Sequence, residues 1–72
     1  MSDTIKLITS NIKKRRQEKG LTFQKLGEKM GLTHTRTRAI ENASNLNIST
    51  LERFAKALDV DIVYFFTKHE DF

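Results

Sequence analysis

The sequence predicts an all-α fold of five short helices. Apolar residues recur at a helical period along nearly the whole chain, and proline is absent. The three glycines, Gly20, Gly27 and Gly31, fall where helices would end or cross closely. Threonine, serine and aspartate stand ahead of the periodic stretches, where side chains that accept from free backbone amides belong.

The first helix carries the stripe Ile5, Ile8 and Ile12, with Leu7 beside it, and runs into Lys13-Lys14-Arg15-Arg16. Gly20 is its expected stop. Thr22 caps a second helix that turns Leu26 and Met30 inward and ends at Gly31. Thr33 caps a third, running to about Asn42. Residues 43–48 are rich in Asn and Ser and read as a loop. Ser49-Thr50-Leu51-Glu52 has the form of a capping box, with Ser49 as the cap of a fourth helix. Its inward face is Leu51, Phe54, Ala55 and Leu58. Asp61 caps a last helix over Ile62–Thr67. That segment is β-branched and aromatic, so a strand competes with the helix. A lone strand would have nothing to pair with, and the expectation is helix.

Seventy-two residues support one domain, 1–72, with one modest core. The absence of cysteine rules out disulfides and thiolate metal sites, and His34 and His69 alone make a zinc site a poor expectation. No apolar run approaches the roughly 20 residues of a membrane span. The opening MSDTIKLITS lacks the basic start and apolar core of a secretion signal, so a cytoplasmic protein is expected. No glycine-rich phosphate loop and no carboxylate pair near a histidine is present, so neither catalysis, a cofactor nor a small-molecule ligand is expected.

Charge is unevenly spread. Residues 1–41 carry ten Lys/Arg against four Asp/Glu, and residues 42–72 carry three against five. A basic front half over an acidic back half suits a protein with one face toward a polyanion. An ordinary solvated helix surface would look the same on charge alone.

The stretch of about 22–42 adds geometry. Two short helices joined at Gly31 can cross closely if a small residue lies at the crossing, and Gly27 supplies it. Leu26, Met30, Leu32 and Ile40 face inward. Thr37 stands where an aliphatic branched residue would fit, and its hydroxyl can bond back to the preceding turn. Together these features describe a helix-turn-helix whose second helix leaves its outer face free. The helices of about 49–67 would complete the core and offer a dimerisation surface.

Leu21-Thr22, Leu26-Gly27, Met30-Gly31-Leu32-Thr33 and Ile40-Glu41-Asn42, then Leu51-Glu52 and Ala55-Lys56-Ala57-Leu58, resemble the Cro/lambda-repressor-type (XRE-like) helix-turn-helix regulators of bacteria and phages. The resemblance covers about residues 8–66. Ile40-Glu41-Asn42 through Asp59-Val60-Asp61-Ile62-Val63-Tyr64-Phe65-Phe66 is similar to restriction–modification controller proteins. Phage Cro-like repressors and antitoxins share the frame.

The resemblance implies a compact lambda-repressor-like DNA-binding domain and roles for particular residues. Glu41 pairs with an arginine of the first helix, here Arg16. His34, Thr35, Arg36, Arg38 and Ala39 are the base-reading candidates. Arginine can pair with guanine through two bonds, and a threonine methyl can meet that of thymine. Arg36 and Arg38 lie about 200° apart around a helix, so they cannot share the groove floor equally. Backbone contacts are expected from Thr22, Phe23, Gln24, Lys25, Thr33, Asn42, Ser44 and Asn45. The family often has glutamine at the first position of the second helix. Here Phe23 stands there, so either Gln24 takes that contact or Phe23 packs on a sugar or on the first helix.

The function implied is a sequence-specific transcriptional regulator, a homodimer on a pseudo-palindromic operator, controlling a restriction–modification operon and its own promoter. RNA polymerase is a further partner if it activates, and activation or repression stays open. Val60, Val63, Tyr64, Phe65 and Phe66 are the dimer candidates, some of them closing the core instead. An antitoxin or a phage Cro-like repressor is the alternative. A bacterial, nucleoid-associated location follows, with no membrane partner.

Overall fold

The computed structural model describes residues 3–42 and 46–69. The expected helices form in order as α1 (Asp3–Glu18), α2 (Phe23–Met30), α3 (His34–Glu41), α4 (Ile48–Ala57) and α5 (Val63–Phe66). No strand occurs among the described residues. No described helix is long and apolar enough to cross a membrane.

Periodicity explains the packing. Ile8 and Ile12 of α1, Leu26 and Met30 of α2, Leu51, Phe54 and Ala55 of α4, Leu58 after it and Phe65 of α5 converge in one core. Full burial of a side chain such as Phe54 or Phe65 contributes about 1.5–3 kcal/mol. α2 packs on α3 and α4, while α1 packs on α5 and α3. The helix-turn-helix is thereby held from behind.

Helix ends do much of the joining. α1 stops where the N–H of Gly20 bonds Gln17 O (2.9 Å) and that of Leu21 bonds Arg16 O (3.0 Å). Arg15 Nε donates to Leu58 O at the end of α4 (3.0 Å). Arg53 of α4 donates to Met30 O at the end of α2. Asn11 is buried within α1, and its Nδ2 donates to Phe65 O (2.9 Å) and Thr67 O (2.8 Å). These bonds fasten free carbonyls to a neighbouring helix where water would otherwise serve them. Beyond α4, Asp59 takes a left-handed φ of 57° and its carboxylate meets Lys19 Nζ.

Two expected ends differ from those observed. α4 is capped by Asn47, not by the box at Ser49 and Glu52: Asn47 Oδ1 accepts from the N–H of Thr50 at 2.8 Å. Asparagine caps at least as well as serine, and the earlier start adds the bond from Leu51 N–H to Asn47 O (3.1 Å). α5 spans four residues, shorter than Ile62–Thr67. Asp61 still serves its start, Oδ1 accepting from the N–H of Val63 at 3.0 Å, one residue further back than a standard cap.

Candidate nucleic-acid interface

The α2–α3 unit follows from a few local constraints. Thr22 Oγ1 accepts from the N–H of Lys25 (3.1 Å), which starts α2. Gly31 ends it at φ 72°, a conformation that costs other residues more, and Leu32 N–H bonds back to Gly27 O (2.7 Å). Thr33 Oγ1 then accepts from the N–H of Arg36 (3.1 Å) and starts α3. At the crossing a Cβ on Gly27 would lie 2.6 Å from Leu32 O and 2.8 Å from Thr37 Oγ1. Only glycine lets the two helices come this close.

The inner face of α3 is filled without loose ends. Thr37 is fully buried and its hydroxyl donates to Thr33 O at 2.9 Å, the back-bond expected of a threonine there. Leu32 and Ile40 pack against the core. Glu41, 4% exposed, meets Arg16 Nε at 3.0 Å and Nη2 at 3.5 Å. Arg16 Nη1 donates to Leu21 O (2.8 Å), and the guanidinium carbon lies 4.2 Å from the ring centre of Phe23. Each donor edge and one flat face of this buried cation has a partner, so the pair avoids the heavy penalty of a lone buried charge. Phe23 packs on the first helix through this contact.

The outer face has the opposite character. His34, Thr35, Arg36, Arg38 and Ala39 are all exposed. Glu41, the one acid of α3, is turned inward onto Arg16. An exposed surface flanked by an arginine on either side, and with no carboxylate, is matched to a polyanion whose base edges offer acceptors. Thr22, Gln24, Lys25, Thr33 and Asn42 are exposed beside it, and Phe23 is half-buried. Asn42 Nδ2 donates to Arg38 O (3.0 Å), closing the end of α3. Ser44 and Asn45, also expected at the backbone, lie outside the described residues.

The five residues expected at a dimer surface divide. Phe65 is fully buried in the core, and Val60 and Tyr64 pack partly against it. Tyr64 is further held by its OH donating to Glu18 Oε1 (3.3 Å) and its ring stacked on His69 at 4.0 Å. Burial, helped by the charge of Glu18, raises the Tyr64 pKa above its ordinary value. Val63 and Phe66 remain exposed, at 62% and 44%.

Asn11, Arg15 and Arg53 escaped the sequence reading. Asn11 had a signal: a poor helix former between the core residues Ile8 and Ile12 must either break the helix or find a buried partner. Arg15 and Arg53 had none, since their acceptors are helix-end carbonyls that only tertiary packing brings near.

Comparison with curated proteins and with solved structures gives no match. A family model described as helix-turn-helix (HTH_3) matches residues 12–65, well over half of the chain. The chain therefore belongs to this XRE/lambda-repressor-type family of DNA-binding transcription regulators.

Proposed function

We propose that the protein is a sequence-specific regulator that binds a pseudo-palindromic operator as a homodimer, with α3 in the major groove. The observation that carries this reading is the outer face of α3. His34, Thr35, Arg36, Arg38 and Ala39 are exposed there, while the helix's own carboxylate is locked inside. Arg36 stands in the first turns and reads a base edge, and Arg38 on the other side holds a phosphate. The amides opening α2, with Gln24 and Lys25, hold the adjoining backbone.

One recognition helix buries too little surface to discriminate well, and pairing doubles the contact. Val63 and Phe66 are the exposed apolar residues of α5 that support such pairing. A two-fold dimer sets its recognition helices roughly 34 Å apart. The resemblance of residues 40–66 to controller proteins supports a restriction–modification operon and the protein's own promoter as targets, in a bacterial cytoplasm, with RNA polymerase as a partner where it activates.

A titration against the promoter of the protein's own gene, with a scrambled duplex as competitor at two salt concentrations, tests the reading. The expected result is cooperative, salt-sensitive binding that favours the promoter by orders of magnitude. Equal and weak binding to both duplexes would overturn it.

A further inference from the structure

The basic run at the end of α1 is not one patch. Lys14 pairs with Glu18 (3.3 Å), Arg15 holds Leu58 O, and Arg16 is committed to Glu41 and Leu21. Lys13 is exposed and has no partner among the described residues. It precedes Arg16 by three residues, so the two share a face of the helix. Arg16 reaches Glu41 from that face, which brings Lys13 alongside the end of α3. There Thr9, Ser10 and Lys13 of α1, with Glu41 and Asn42, line an open polar cleft of about 200 Å³.

The charge of this cleft is not what its composition suggests. Glu41 is neutralised by Arg16 and almost fully buried, which leaves Lys13 as the cleft's exposed charge. Arg38 O, in the last turn of α3, accepts from both the backbone N–H and the side-chain amide of Asn42 (3.1 and 3.0 Å). The second amide hydrogen of Asn42 and the exposed Ser10 hydroxyl are left as neutral donors beside the Lys13 ammonium. One cation flanked by two neutral donors is the donor set of a phosphate contact. We propose that this cleft seats a DNA backbone phosphate beside the bases read by α3, so that α1 forms one wall of the interface. The inference rests on the DNA-reading function given above and extends the footprint past the end of α3.

The test follows affinity against salt for the promoter and a scrambled duplex, with wild type, Lys13→Ala, Lys13→Arg, Ser10→Ala and Arg36→Ala. Lys13→Ala should weaken both duplexes alike, by about fivefold to tenfold, and lower the salt slope by about 0.9. Lys13→Arg should keep the slope, and Ser10→Ala should weaken both duplexes without changing it. Phosphate-ethylation interference should lose one position per half-site in Lys13→Ala. An unchanged slope and an unchanged interference pattern in Lys13→Ala would overturn the proposal. If Arg36→Ala still relaxes preference at one base position of the promoter in that case, the base-reading function stands and the cleft assignment alone fails. If wild type shows no salt-sensitive binding to either duplex, both fail together.

Discussion

The α2–α3 unit and the α5 end solve opposite problems. In α2–α3 the charged pair Arg16–Glu41 and the Thr37 hydroxyl lie inside, fully partnered, and unpaired polar groups of α3 face out. At α5 the outward residues are apolar, Val63 and Phe66, around a buried Phe65. A surface of free donors suits a polyanion. A surface of exposed hydrocarbon suits another protein face. On the proposed function, the DNA contact and the pairing contact differ in chemistry as well as in position, and breaking either should leave the other intact.

The largest expected effect removes the inner support of the first region. Glu41→Ala leaves the Arg16 guanidinium buried without its carboxylate and should cost about 3–5 kcal/mol in a urea melt. A melt within the error of wild type would mean that the pair does not hold α3 against α1. Next comes the outer face. Arg36→Ala should weaken promoter binding by about 1–3 kcal/mol, relax preference at one base position and leave the melt unchanged. Equal losses on promoter and random duplex would reduce Arg36 to a phosphate contact.

The second region should respond in reverse. Replacing both Val63 and Phe66 by serine should cost the monomer about 1–3 kcal/mol, since Phe66 keeps more than half of its surface covered. Sedimentation at tens of micromolar should move from dimer toward monomer, and cooperativity on the promoter should fall. A dimer that persists in this double variant would place the pairing surface elsewhere.

The smallest effect belongs to neither region. The hydrogen bond and charge of Lys19 hold the exposed Asp59 carboxyl below its ordinary pKa. A carboxyl depressed on folding stabilises the protein above its unfolded value of about 3.9, and that contribution is lost as pH falls through the lower folded value. The melting difference between wild type and Asp59→Asn should therefore shrink below about pH 4. A difference that stays constant down to pH 2 would assign it to the left-handed backbone at Asp59 instead.

How legible each region was follows from which forces are local. The helix-turn-helix could be read because its constraints repeat at short spacing. Gly27, Gly31, Leu26, Met30 and the cap Thr33 lie within seven positions of one another. Thr37 was legible as an inward residue for the same reason, and its bond goes to a carbonyl one turn back. The Arg16–Glu41 pair spans 25 residues, and only the family resemblance pointed to it. The start of α4 was misplaced because Asn47 and Ser49 are both good caps, and apolar spacing does not choose between them. Bonds such as Arg15 to Leu58 O and Arg53 to Met30 O leave no pattern in the chain, because their acceptors are backbone. On α5, composition showed an apolar excess, but which side chains stay exposed depended on how its single turn docks on α1.

Mapping backbone amide shifts while the labelled protein is titrated with its own promoter duplex would show whether α3 is the helix that meets DNA. Perturbations should concentrate from Thr33 to Ala39 and at the start of α2, with Val63 and Phe66 changing only as the dimer forms. Perturbations confined to α5, with the amides of His34 to Ala39 unmoved, would rule out α3 as the reading helix.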